Sequence, residues 1–426
     1  MSRIQILNFG PIKDGNHANE GWIDLAKVTI FIGNQGSGKS TVAKLISTFS
    51  WMEKALIRGD FSQKELERKN KLKSKFLVYH RLEEYLKDNT SISYEGDAYC
   101  INYSRGFLQI SENTASNGRY ALPQIMYVPA ERNFLSYLKK AREIKLSSAA
   151  LQEFLVEFDN AKNNMKGALK LPLNNNTQLE YHKLTDTLYI KGDDYRIKLG
   201  DASSGYQSLV PLNIVSDYLA NRVKRTASEK DEPMTLDEMN RFRKSIGQII
   251  ANNSLTEEQR RIAISELSNK FNKTAFINIV EEPEQNLFPT SQQGTLYALL
   301  SANNLSGANK LVITTHSPYT INYLSIAIQA GQLTEKIEQA YNDQSHTITL
   351  SDAPRNQLQS RVNAIVPKSA MLRATDLHVY ELNETDGTIS RLGDYDGIPS
   401  DENYLNRSLR AGNELFDKLL EIEEEL

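Results

Sequence analysis

The sequence predicts an α/β fold: a mixed sheet flanked by helices, with a smaller helical lobe and a short helical insertion. Three observations carry this. An apolar run over residues 28–32 enters the glycine-rich segment "GNQGSGKS" and then an amphipathic helix. A second apolar run, 276–280, ends in two carboxylates, Glu281 and Glu282. A third, 311–314, stops just short of His316. Polar residues at the C-terminal ends of buried strands are how α/β sheets build ligand sites.

The segment "GNQGSGKS" matches G-x-x-x-x-G-K-[ST] with Gly33, Gly38, Lys39 and Ser40 in place. Glycines let the backbone turn so that N–H groups point at phosphate oxygens. A helix from about Ser40 adds its positive end. The candidate nucleotide-binding residues are therefore Gly33, Asn34, Gln35, Gly36, Ser37, Gly38, Lys39, Ser40 and Thr41, a loop that alone does not separate kinases, GTPases, AAA proteins and ABC-type ATPases. Lys39 is expected at the β- and γ-phosphates, and the Ser40 hydroxyl on Mg²⁺.

Two adjacent carboxylates at the end of a buried strand are costly without a cation or substrate nearby. Successive strand residues face opposite ways. Glu281 is accordingly assigned to the metal shell and Glu282 to the general base. His316 is placed to hydrogen-bond the γ-phosphate or the attacking water.

The bulk numbers are permissive. A chain of 426 residues can fold as one large domain or as two or three smaller ones. Its 40% apolar and 24% charged residues are ordinary for a globular protein. The net charge of -3 gives no overall basic excess, so DNA contact would need a local patch. One cysteine, Cys100, excludes an intrachain disulfide and a cysteine-rich zinc site. The start "MSRIQILNFG" lacks a signal-peptide core and no apolar run approaches membrane length, so a cytoplasmic protein is expected.

Between these motifs lies "DASSGYQSLVPL", after the strand-like "YRIKLG". Ser203 can act as a helix N-cap through its hydroxyl. Capping accounts for one serine and leaves Ser204 and Gly205 unexplained.

In order, "GNQGSGKST", "SSGYQS", "VEEPE" and "THS" resemble the ATPase heads of the ABC superclass, in the branch holding SMC proteins, RecF and OLD-type ATPases. The opening "IQILNFGPIKD" resembles that branch too. The resemblance implies ATP hydrolysis and a signature motif in which Ser203, Ser204 and Gly205 bind the γ-phosphate held by a second subunit. It implies head pairing. The sequence departs from the pattern at Ala202, where leucine is usual, and at Glu281, where aspartate is usual. "PAER", ending in Glu131 and Arg132, resembles an element of related ATPases, and a structural Arg132–carboxylate pair is expected there.

On that resemblance, 1–133 is the first part of the head with the phosphate loop and 134–178 a short helical insertion. Residues 179–330 hold the signature, helical lobe, paired carboxylates and histidine, and 331–426 a C-terminal hairpin and helix. The insertion is expected as a stub of two helices, too short for a long coiled coil. "NNSLTEEQ" reads as a capping box with Ser254 and Glu257. "KELERKNKLKSK", with six basic and two acidic side chains, is either a solvated helix face or a docking patch for nucleic acid or an acidic protein. "GDYDG", with Asp394 and Asp396, follows too polar a strand for a Toprim nuclease site, and the chain ends too soon for the Toprim domain that OLD nucleases carry. The compact ATPase subunits (AriA) of PARIS anti-phage systems look most similar. That implies a partner role: sensing a phage anti-restriction protein and releasing a separate Toprim nuclease effector. The alternative is a RecF-like repair ATPase that clamps DNA directly.

Overall fold

The computed structural model describes residues 2–114, 120–138, 146–173, 176–228, 236–251, 272–344 and 353–424, together with 256, 259, 260 and 267. Strands β1 (Arg3–Phe9), β2 (Gly15–Asn16) and β3 (Trp22–Asp24) lead into β4 (Val28–Gly33), whose six residues are all buried. Helix α1 (Lys39–Arg58) follows the loop. Then come β5 (Leu86–Glu95), β6 (Tyr99–Ser104), β7 (Phe107–Glu112) and the fully buried β8 (Pro123–Val128). A 3₁₀ segment, Ala130–Tyr137, precedes α2 (Ala149–Asn164). Four short strands, β9 (Leu169–Lys170), β10 (Gln178–His182), β11 (Thr187–Lys191) and β12 (Arg196–Lys198), form an antiparallel sheet of their own. Helices α3 (Ser204–Ser228) and α4 (Leu236–Ala251) make the helical lobe. After them come β13 (Ala275–Glu281), α5 (Pro289–Asn303), β14 (Lys310–Thr314), α6 (Pro318–Gln344) and α7 (Ala353–Ile365). Strands β15 (Leu377–Leu382) and β16 (Thr388–Arg391) and helix α8 (Tyr404–Glu424) complete the chain.

The central sheet has the order β2-β16-β15-β4-β14-β13-β8. The five strands β15-β4-β14-β13-β8 run parallel and β16 runs antiparallel to β15, so the sheet is mixed as expected. Strands buried on both faces read as continuous apolar runs, which is why 28–32 and 276–280 were legible. Along β4 the side chains alternate between two cores. Val28, Ile30 and Ile32 join the core that includes α3 and α5, while Phe31 joins the one built on α1 and the β3-β1-β5-β6-β7 sheet.

The insertion differs from the expected pair of helices. Among the described residues it is one 3₁₀ segment, one helix of 16 residues, α2, capped by the Ser148 hydroxyl accepting from Leu151 N at 3.3 Å, and the short strand β9. The expected C-terminal hairpin is present as β15–β16, but β15 is also the parallel neighbour of β4. The chain turns at Gly192 between β11 and β12, with Gly192 N donating to Tyr195 O at 3.0 Å. Ser254 and Glu257 lie outside the described residues. Among the described residues, no helix is long and apolar enough to cross a membrane.

Candidate functional site

Strand order alone assembles the site. Strand β14 lies between β4 and β13, all three parallel, with Glu281 beside Thr314 and Thr314 beside Phe31. The phosphate loop, the paired glutamates and His316 therefore leave one edge of the sheet.

Three glycines give the phosphate loop its path, with positive φ at Gly33, Gly36 and Gly38. A Cβ on Gly33 would sit 2.4 Å from the Leu382 carbonyl of β15. Gly38 is the N-cap of α1. The Lys39 ammonium is buried and donates to Gly33 O at 2.9 Å and Asn34 O at 2.8 Å. Burial lowers its pKa to about 8, against the pull of Glu282, Glu284 and Glu384. The Ser37 hydroxyl is enclosed without a hydrogen bond. Asn34, Gln35 and Gly36 are exposed, Ser40 is half-buried, and Thr41 is buried in the first turn of α1. Asn34 Nδ2 donates to Glu384 Oε1 at 2.9 Å, and Asn34 Oδ1 accepts from Gln35 N at 2.8 Å.

Glu281 ends β13 with a buried carboxylate. Its Oε2 accepts from Ala130 N at 3.3 Å, while Oε1 is enclosed and unpartnered. Glu282 leaves the strand at a φ of +43°, its N–H donating to Thr314 O at 2.9 Å. That left-handed residue breaks strict alternation and turns the side chain to His316, whose Nε2 lies 3.5 Å from Glu282 Oε1. The His316 hydrogen bond holds the Glu282 carboxyl below the usual carboxylate range. Glu284, which the sequence reading did not single out, accepts from His316 N at 2.7 Å. Burial pushes its carboxyl upward, and Oε2 is enclosed without a partner. Two carboxylates thus hold His316, one at its ring and one at its main chain.

Arg132 corrects an expectation. Fully buried, it hydrogen-bonds carbonyls rather than a carboxylate: Glu281 O at 2.7 Å, Glu282 O at 2.6 Å, Pro129 O at 3.2 Å and Ser208 O at 3.1 Å. Burial lowers its pKa to about 10, with Glu284, Glu282, Glu281 and Glu131 opposing the fall. A planar fork of donors suits several carbonyls in different directions. It ties the turn carrying the glutamates to α3.

Ser203 and Ser204 are exposed at the start of α3. Ser203 caps through its carbonyl, which accepts from Gln207 N at 3.2 Å; its hydroxyl makes no hydrogen bond among the described residues, unlike the expected N-cap. Gly205 packs on the loop after the glutamates, where a Cβ would lie 2.9 Å from Asn286 O. Gln207 and Ser208 hold the turn: Gln207 Nε2 donates to Gly200 O and Ala202 O, and Asn286 Nδ2 donates to Ser208 Oγ at 3.1 Å. A cavity of about 440 Å³ opens between Ser203, Gly205 and residues 286–291. No hydrogen bond joins 203–205 to 33–41 among the described residues.

The donor set fits a nucleotide with a divalent cation. Lys39 has carbonyls where an anion would be stronger, and the Ser37 hydroxyl and Glu281 Oε1 are enclosed without partners. Among the described residues no group of three or more His, Cys, Asp or Glu could hold a metal. A hard cation here would need phosphate and water beside Ser40 and Glu281. Asp394 and Asp396 instead shape a tight turn, with Gly397 N donating to Asp394 Oδ1 at 3.0 Å and Asp396 at a φ of +50°.

No family model and no curated protein matches the chain. Among solved structures, the SMC head domain from Thermotoga maritima is 10% identical over 92% of this chain and 98% of its own, with a TM-score of 0.35. The Smc head from Pyrococcus furiosus, bound to the C-terminal domain of ScpA, is 10% identical over 97% and 100%, with a TM-score of 0.32. A nucleotide-free ATP-binding cassette from an ABC transporter is 12% identical over 93% and 94%, with a TM-score of 0.27. Likeness at this level carries no argument about activity or partners. The chain's own topology is a seven-stranded mixed sheet, a five-stranded antiparallel sheet and a four-stranded antiparallel sheet, with flanking helices.

Proposed function

We propose that the chain is an ATP-hydrolysing ABC-type ATPase acting as the sensor subunit of an anti-phage defence complex, holding and releasing a separate Toprim nuclease. The observation that supports it most is the edge shared by Lys39, Glu282 and His316. Lys39 binds the terminal phosphates. Glu282 takes the proton of a water that attacks the γ-phosphorus, as the bond to the ADP oxygen breaks. His316 orients that carboxylate and Glu284 holds His316 in place. Mg²⁺, when bound at Ser40 and Glu281, supplies charge neutralisation to the phosphates. Ser203, Ser204 and Gly205, open at a helix start, complete the site of a second copy. The four ordered motifs support the ATPase; the defence role itself rests on the resemblance to the compact ATPase subunits of PARIS systems. The trigger in this reading is a phage anti-restriction protein.

The test is phosphate release by the purified chain, alone, with DNA, and with a Toprim nuclease. The expected result is Mg²⁺-dependent hydrolysis, lost about 10²-fold or more in Glu282→Gln, and stable co-purification with that nuclease. Absence of hydrolysis in every arm overturns the ATPase. Salt-dependent DNA binding without nuclease retention replaces the defence role with the RecF-like one, for which the exposed Lys64, Arg68, Lys69, Lys73 and Lys75 offer a local patch.

A further inference from the structure

Away from the phosphate loop, α1, the 70–81 segment, β8 and α2 enclose a cavity of about 340 Å³. Its walls are aromatic. Trp51 and Phe76 have ring centroids 5.8 Å apart, and His80 stands edge-on to Tyr79 and to Tyr127, each at 4.6 Å. Its polar groups are unusual. Both ring nitrogens of His80 are buried without a hydrogen bond, and the Tyr127 hydroxyl is enclosed beside the Glu281 carboxylate. Glu153 is already engaged by the Tyr79 hydroxyl.

Two unpartnered ring nitrogens on one cavity wall are far from the norm, since buried polar groups are paired in nearly all folded proteins. Burial lowers the His80 pKa to about 3, with Lys44 adding to the effect, so the ring is neutral. A neutral imidazole presents one donor and one acceptor. The backbone here is also held in costly shapes. Leu72–Leu77 forms a π-helical turn, and Asn70 and Arg81 on either side have positive φ. Such features gather at functional sites.

We propose that this cavity binds a nucleobase, a flat, uncharged heteroaromatic ring whose donor–acceptor edge meets His80 and Tyr127 while its faces lie on the aromatic walls. The volume is in the range of small-molecule sites, roughly 300–1,000 Å³, and admits a free base or a nucleoside. The site is separate from the proposed ATP site, and two of its residues sit on elements that lead there. Trp51 is on α1, the helix that Lys39 starts, and Tyr127 lies beside the Glu281 carboxylate.

The two tryptophans make the test direct. In a Trp22→Phe chain, fluorescence reports only Trp51, in the cavity wall. Adenine, guanine, cytosine and uracil are titrated, then the matching nucleosides and monophosphates. Free bases and nucleosides carry no phosphate for Lys39, so the phosphate loop does not hold them. At least one base or nucleoside should quench Trp51 saturably, with a Kd of about 1 mM or tighter. His80→Phe and Tyr127→Phe, with folding checked by circular dichroism, should each weaken it about tenfold or more. The arms show whether the ring is recognised bare, on ribose or on a nucleotide. Titration calorimetry on the unaltered chain repeats the test should Trp22→Phe fold poorly. No saturable signal with any probe, or binding unchanged in both cavity variants, overturns the proposal.

Discussion

Lys39 is a buried ammonium held by two carbonyl oxygens, and its lowered pKa follows from that. The nucleotide-free folded chain sheds this proton from about pH 8, whereas the unfolded chain keeps it to 10.5. Its burial therefore opposes folding below about pH 8, and that penalty fades as pH rises toward 10.5. Phosphate needs the charged form. ATP affinity should fall about tenfold per pH unit above about 8, because binding must restore the proton. Calorimetry at pH 7, 8 and 9 reads this, and a flat affinity would refute it. Lys39→Ala should lose nucleotide binding altogether. The two glutamates divide differently. Glu282→Gln should keep ATP while slowing hydrolysis about 10²–10⁴-fold; Glu281→Gln should raise the Mg²⁺ needed for half-maximal turnover. Exchanged phenotypes would reverse the two roles.

At the scale of elements, the site depends on a clasp between α3 and the turn after β13. Arg132 holds the carbonyls of Glu281, Glu282 and Ser208 together, and Gly205 and Ser208 contact Asn286. Arg132→Met would leave buried carbonyl acceptors without donors, at about 1–3 kcal/mol each. The expected outcome is a lower melting temperature and lost hydrolysis, with ATP still held through Lys39. Arg132→Lys should not rescue turnover, since one compact ammonium cannot span these directions. Wild-type turnover in Arg132→Lys would show that charge alone suffices. Gly205→Ala should act on the same clasp from the helix side, by pushing the 286 loop away and slowing hydrolysis.

For the whole molecule, the proposed sharing of sites through the exposed serines at the start of α3 is open to a mixing test. Lys39→Ala and Ser204→Arg chains, each inactive alone, are mixed under conditions that exchange subunits. Shared sites predict partial recovery of ATPase activity, because some mixed pairs hold one site with both halves intact. Failure to recover, with exchange confirmed by labelled subunits, counts against sharing unless both sites must work together. The double variant mixed with wild type resolves that case, by suppressing wild-type turnover if paired sites are obligatory. Nucleotide and assembly would then be linked by mass action.

The parallel strands, the phosphate loop and the carboxylates were legible because their signals are local. Contiguous apolar runs mark strands buried on both faces, and the spacing of Gly33, Gly38, Lys39 and Ser40 is set by the backbone path itself. Glu284 carried a weak signal as a third acid in "EEPE". Other features had none. That β15 pairs with β4, that Arg132 turns to carbonyls rather than carboxylates, and that His80 and Tyr127 meet in one cavity depend on residues far apart in the chain. The sequence by itself determined which strands end in chemistry. Only the tertiary structure decided which polar groups meet, because a buried donor takes whatever acceptor the packing brings near, and packing is a property of the whole chain.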